Sequence, residues 1–212
     1  IPSLEDKIVQ KATLDILNAV YEQDFLECSY GFRPGKGAHD ALNEVGRVIC
    51  RGTVSCILEA DIQGYFDSIV RGQLMEMIKE RVVDGSILRL IGKWIHVGVV
   101  DEGRLLATKT GTGQGQIISP LLANIYLHYV LDVWMEKVVK SRMRGEVHLI
   151  RYADDAVLIF EKEEDARRVM DVLAKRFARY GLTLHPEKTR LVRFQRPRGP
   201  KGPDRGESPE TF

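Results

Sequence analysis

An α+β fold built on an antiparallel sheet is what the sequence predicts, and three observations predict it. A short, β-branched apolar run at residues 54–60 delivers Asp61 at its end. Two further strand-like runs, 147–152 and 156–160, are separated by little more than Ala153-Asp154-Asp155 and read as a tight hairpin with acids at its tip. Segments with helical spacing of apolar residues lie before, between and after them. Strand with acid, helices, hairpin with two acids, helix, strand is the order of an α+β lobe whose sheet carries acids on one edge or face.

The elements follow in order. Ser3 with Asp6 is a capping-box signal, and Ile8, Ala12, Ile16 and Ala19 recur at helical spacing, so a helix is expected over 4–22. Residues 25–37, with three glycines, a proline and three aromatics, form a loop ahead of a helix over 38–51. Residues 71–97 read as two helices punctuated by Asp84-Gly85, and 97–110 as a hairpin turning near Asp101-Glu102-Gly103. After the glycine-rich turn 111–116, Ser119 as N-cap and Pro120 at the first helical position open a long apolar helix. Ala166, Val169, Met170, Leu173, Phe177 and Tyr180 mark one face of a helix that stops at Gly181, and a last strand covers 189–194. Beyond Phe194, four of the eight prolines fall in a tail expected to be loop or disorder.

Composition narrows the function. Of 212 residues, 44% are hydrophobic and 29% charged, with 31 Lys and Arg against 30 Asp and Glu. A net charge of +1 excludes a polybasic protein that grips phosphate with its whole surface, so any nucleic-acid site is local. No stretch approaches the roughly 18–20 apolar residues of a membrane span, and the start lacks a basic and apolar leader, which points to the cytoplasm. Cys28, Cys50 and Cys56 suit neither a disulfide framework nor zinc and read as reduced, mostly core thiols. With no initiator methionine, residue 1 reads as a cut inside a longer protein.

Acids at the ends of apolar strands cost desolvation unless something positive compensates them, and a divalent cation is the obvious partner. Strand alternation forbids Asp154 and Asp155 from facing the same way, but Asp154 and Asp61 converge if the hairpin pairs beside the Asp61 strand. Two aspartates and a main-chain carbonyl, such as that of Ile62, are hard oxygen ligands of the kind magnesium prefers. On spacing alone, a solvated turn acid and a helix-capping Asp61 account for the same residues equally well.

The motifs decide between these. Tyr152-Ala153-Asp154-Asp155, flanked by Leu149-Ile150-Arg151 and Ala156-Val157-Leu158-Ile159-Phe160, resembles the Tyr-x-Asp-Asp hairpin of reverse transcriptases. The other blocks stand in the right order. Glu59-Ala60-Asp61-Ile62-Gln63-Gly64-Tyr65-Phe66-Asp67 resembles the first-aspartate block, Gln114-Gly115 with Ile117-Ile118-Ser119-Pro120-Leu121-Leu122-Ala123-Asn124 the glutamine-glycine block, and Glu187-Lys188-Thr189 the lysine block. Ser29-Tyr30-Gly31-Phe32-Arg33-Pro34-Gly35 and Ile1-Pro2 resemble group II intron-encoded reverse transcriptases and their bacterial relatives, and the match covers residues 1–194.

The resemblance implies a right-hand polymerase without its thumb: partial helical fingers over 1–52, a palm over 53–194 with a fingers-like helical insertion at about 70–112, and a flexible tail over 195–212. It implies an RNA-directed DNA polymerase using two magnesium ions, with manganese as a substitute. Asp61 and Asp154 would be the principal ligands, Asp155 a weaker one, and the Ile62 carbonyl a further donor. Phe66 would sit under the nucleotide sugar and select deoxynucleotides, or else be a core aromatic. Gln114 would line the incoming nucleotide, although Gly113 and Gln116 depart from the family's pattern around it. Lys188 would be the acid for the leaving pyrophosphate, or an exposed lysine. Arg33 and Lys36 would meet nucleotide phosphate or template backbone, or be a solvated loop pair. Arg151 would pair with an acid at the hairpin tip, while Tyr65 and Asp67 would be structural, the latter a helix cap. The implied partners are an RNA template, a DNA primer and a dNTP, with intron RNA as a further one; a dimer is compatible with the sequence. The rival readings are an RNA-binding splicing maturase lobe, a domesticated or defence-associated reverse transcriptase, and an RNA-templated RNA polymerase, the last opposed by Phe66.

Overall fold

The computed structural model describes residues 3–96, 99–101, 104–106, 110–112 and 116–194, with 99–101 and 104–106 as backbone. The expectations for Gln114 and for the tail 195–212 lie outside the described residues. In chain order the elements are α1 (Leu4–Tyr21), α2 (Ala38–Arg51), β1 (Cys56–Ala60), α3 (Tyr65–Ser68), α4 (Arg71–Lys79), α5 (Gly85–His96), β2 (Val99–Asp101), β3 (Arg104–Leu106), α6 (Ser119–Leu127), β4 (Val147–Tyr152), β5 (Asp155–Phe160), α7 (Glu163–Arg179) and β6 (Arg190–Arg193). Between α6 and β4 the helix continues as π-type turns at His128–Asp132 and Met135–Val139.

Four strands form an antiparallel sheet in the order β4-β5-β1-β6, and β2 pairs with β3 as the expected separate hairpin. Strand alternation divides the large sheet into two apolar faces. Cys56, Leu58, Ala60, Ala156, Leu158 and Phe160 join the main core with α6 and α7, whereas Ile57, Ile150 and Ile159 pack with Ala41 and Val48 of α2. Helix α6, apolar but for Ser119 and Asn124, is buried on nearly every side. Helix α7 buries Ala166, Val169, Leu173 and Phe177 and ends before Gly181, whose φ of 71° is the left-handed conformation glycine takes without a Cβ penalty.

The helical spacing of the first segment left its facing open. Helix α1 does not bury the Ile8–Ile16 stripe; Ile8 and Ile16 are 61% and 56% exposed, and the buried residues are Gln10, Thr13, Leu17 and Tyr21. A polar stripe is affordable inside because its polar atoms are matched: Gln10 Oε1 accepts from Ile117 N at 3.0 Å and Thr13 Oγ1 donates to Val9 O at 2.9 Å. Ile118, not Ser119, is the N-cap of α6. Asp67 lies inside α3, which is capped by Gly64, and Cys50 is exposed rather than in the core. The cap at Ser3, which accepts from Asp6 N at 3.2 Å, stands as expected, and Asp84, expected only as punctuation between two helices, accepts from Ser86 N and Ile87 N at the start of α5.

Candidate active site

The register of β1 and β5 brings the acids together. Ala60 pairs with Ala156, so the next residue of each strand towards the same sheet end, Asp61 and Asp155, lie side by side, and Tyr152 pairs with Asp155 to close the hairpin over Ala153-Asp154. Ala153 adopts φ of 56°, a left-handed conformation that costs an alanine about 1–2 kcal/mol. The Asp155 carboxyl is pushed above its ordinary range by the surrounding protein and then by the charges of Asp154 and Asp61, while Lys188 pulls it back.

The segment after α7 fixes the other side of Asp61. Ile62 bridges Leu184, with His185 N donating to Asp61 O at 2.8 Å and Gln63 N to Thr183 O at 2.9 Å. In such a pair the central residue's own carbonyl points away from the partner, so the Ile62 oxygen is not used by the bridge. A turn closed by Thr189 N on His185 O then carries Lys188 to Asp61, Nζ to Oδ2 at 3.2 Å, with the lysine 65% exposed and the aspartate 18%.

Phe66 is half-buried on α3, packed against the core with its ring 5.6 Å from that of Tyr65. Tyr65 is buried and donates to Ala123 O at 2.5 Å. The segment Gly111–Thr112 is tied to this helix, since Thr112 N donates to Phe66 O at 3.0 Å and Gly111 N to Ile69 O at 2.9 Å.

Two expected phosphate ligands point elsewhere. The Arg33 guanidinium is buried, bonded to Glu22 at 2.8 and 3.2 Å and to the carbonyls of Leu26 and Ser29 at 2.8 Å, with the Phe25 ring 5.4 Å from it. Four of its five N–H donors are engaged inside the protein, tying the loop at Leu26 and Ser29 to α1's end at Glu22. Lys36 pairs with Glu27 at 2.8 Å above the Tyr30 ring. Arg151 does not pair with a tip acid either. It is fully buried and binds Asp132, also fully buried, with Nε at 2.8 Å and Nη2 at 2.6 Å. Asp132, Asn124 and Ser29 went unassigned in the sequence, yet a signal was there: one cation and one anion, each stranded in an apolar run, must find a buried partner.

Among the described residues, no group of three His, Cys, Asp or Glu side chains is clustered as a metal site. The donor chemistry nevertheless fits a hard cation: carboxylates adjacent in register, one of them disfavoured as an anion by its neighbours, a backbone oxygen not used by its β-bridge, and a lysine ammonium supplying the positive charge at Asp61.

An antiparallel sheet with paired carboxylates at the end of a central strand and the tip of a hairpin defines a polymerase-palm type of protein. The sequence matches the reverse transcriptase (RNA-dependent DNA polymerase) family over residues 1–206, and the chain belongs to that family. It is 35% identical over 186 residues to the group II intron-encoded protein LtrA of Lactococcus lactis subsp. cremoris, covering 83% of this chain and 31% of that protein. Protein YkfC of Escherichia coli K12 is 30% identical over 227 residues, 90% of this chain and 58% of its own length. The chain therefore spans about a third to somewhat over half of these relatives. In fold it resembles the apo telomerase of Candida tropicalis truncated from its C-terminal domain, with a TM-score of 0.67 at 16% identity over 90% of this chain and 41% of that one. The mixed helix and antiparallel-sheet architecture is that of a partial right-hand polymerase. No helix among the described residues is long and apolar enough to cross a membrane.

Proposed function

We propose that this chain carries the nucleotidyl-transfer site of an RNA-directed DNA polymerase of group II intron type, which extends a DNA primer on an RNA template. The observation that carries the reading is the β1–β5 register, which sets Asp61 beside the Asp154-Asp155 tip. Two magnesium ions about 4 Å apart, bound there, would stabilise the attacking and leaving oxygens of an in-line phosphoryl transfer. Asp61 and Asp154 are the principal ligands, with Asp155 and the Ile62 carbonyl beside them. Phe66 lies under the sugar and excludes the ribose 2′-OH, and Gln114 lines the nucleotide. Lys188, whose Nζ stands 3.2 Å from Asp61 Oδ2, would donate a proton to the pyrophosphate as the bond from the α-phosphorus to the α–β bridging oxygen breaks. The protein's share is positioning and charge neutralisation, since this reaction asks for little else.

The test is primer extension on poly(rA) with oligo(dT) by the full protein containing these residues, comparing dTTP with UTP and magnesium with manganese. The expected result is magnesium-dependent incorporation of dTTP over UTP, abolished by Asp61→Ala or Asp154→Ala. Near-native rates in either variant would remove the two-metal assignment.

A further inference from the structure

Behind the hairpin tip lies a buried network that the chemistry above does not use. All five Arg151 N–H donors are engaged: Nε and Nη2 on Asp132, Nη1 on Asn124 Oδ1 at 3.0 Å and on Ala153 O at 2.7 Å, and Nη2 on Ser29 Oγ at 2.7 Å. Asn124 Nδ2 in turn donates to Gly31 O at 2.6 Å. The loop containing Ser29 and Gly31 lies alongside β4, with Arg151 N on Cys28 O at 2.7 Å and Tyr30 N on Arg151 O at 2.8 Å. At Gly31 it abuts the tip itself, for a Cβ built there would sit 2.3 Å from Ala153 N and 3.1 Å from Tyr152 C.

Resting on the assignment of Asp154 as a metal-binding carboxylate, we propose that Gly31, Asn124, Asp132 and Arg151 are positioning residues that hold the strained Ala153-Asp154 turn in its catalytic place. A left-handed alanine persists only where the surroundings over-determine it. Here a hydrogen bond pins its carbonyl from one side and the bare Cα of Gly31 backs its amide from the other. The Asp132 carboxylate keeps Arg151 charged and oriented against the pull of burial. The Ser29-Tyr30-Gly31 motif thus acts through the tip, whose carboxylate has to meet the cations to within a fraction of an ångström.

The test uses the full protein, poly(rA) with oligo(dT), dTTP and magnesium. Gly31→Ala inserts one methyl group against the Ala153 amide without touching any acid. The expected result is a loss of about tenfold to a hundredfold in kcat, the range a displacement near 1 Å gives. The KM for dTTP should stay close to wild type, the magnesium needed for half-maximal rate should rise, and the melting temperature should move little. The second variant joins Arg151→Met to Asp132→Leu, which removes both buried charges together and so avoids stranding one of them. It should fold, and should lose kcat in the same way because nothing holds the Ala153 carbonyl. Wild-type kcat in either folded variant overturns the proposal. So does activity that falls only in step with the folded fraction and returns on cooling, and so does unfolding of both variants, since the network would then serve stability alone. Asp154→Ala runs alongside: its inactivity with wild-type-like Gly31→Ala defeats the positioning role alone, whereas its full activity defeats the site assignment and the proposal with it.

Discussion

At the scale of single residues, Phe66 separates a steric gate from a packing role. It is half-buried at the start of the helix that follows Asp61, so trimming its ring opens space while leaving the buried Tyr65 anchor in place. Phe66→Val is expected to raise UTP use relative to dTTP while sparing much of the dTTP rate, measured as the ratio of kcat/KM values. If both change in parallel, Phe66 only fills the core. His128 gives a pH prediction. It is 4% exposed, near Phe25 and Tyr129, and its Nδ1 has no hydrogen-bond partner among the described residues. Burial lowers its pKa below the ordinary 6.5; Asp132 and Asp24 oppose this, and Arg151 and Arg33 add to it. A depressed histidine contributes stability above pH 6.5 that is lost as pH falls through its lower folded value. The melting temperature should therefore decline on the acid side in the wild type and decline less in His128→Leu. Parallel curves would mean that His128 titrates normally.

At the scale of elements, the sequence made strands and amphipathic helices legible where periodicity and punctuation agreed. The Asp84-Gly85 break, the Gly181 stop and the tight hairpin at Ala153-Asp154 are all local chemistry. For helix α1 the apolar spacing marked the helix but left its facing open, because spacing cannot tell that Gln10 lies inside and accepts the Ile117 amide. Arg33 was misread because a guanidinium in a glycine-rich loop looks the same whether it meets a phosphate or Glu22. The acids of the site were legible as motifs, but their adjacency is a matter of strand order, which only the pairing of β5 with β1 supplies. Gly181 offers the test of an element end. Its φ is 71° and a Cβ would lie 2.5 Å from Val70 Cγ2, so Gly181→Ala should destabilise by at least ~1–2 kcal/mol from the backbone term alone. A denaturant midpoint unchanged from wild type would mean that the α7 terminus relaxes freely.

At the scale of the whole molecule, charge limits what the 212 residues do by themselves. The net charge is +1, and many cations already face acids on the same surface, as Arg47 faces Glu44, Lys79 faces Glu76 and Arg190 faces Glu59. Nucleic-acid affinity grows with the number of phosphates neutralised and falls steeply with salt. A polypeptide of these 212 residues alone should bind primer-template weakly and extend it little at about 0.15 M salt, a concentration at which exposed charges are screened beyond about 8 Å. Processive copying of a long RNA under those conditions would show that the phosphate contacts needed are all present in this segment.

The tightness of the β4–β5 turn also sets how this gene segment can change length. Only Ala153 and Asp154 separate the paired residues Tyr152 and Asp155. If the turn keeps its two residues, one inserted codon shifts β5 by one position, and that would turn Leu158 and Phe160 out of the main core and bring Val157 and Ile159 in. Two inserted codons absorbed in the same way would preserve the faces yet draw Asp155 inward, opposite Glu59 instead of beside Asp61. A working site is therefore held to a fixed spacing between the paired ends of β4 and β5.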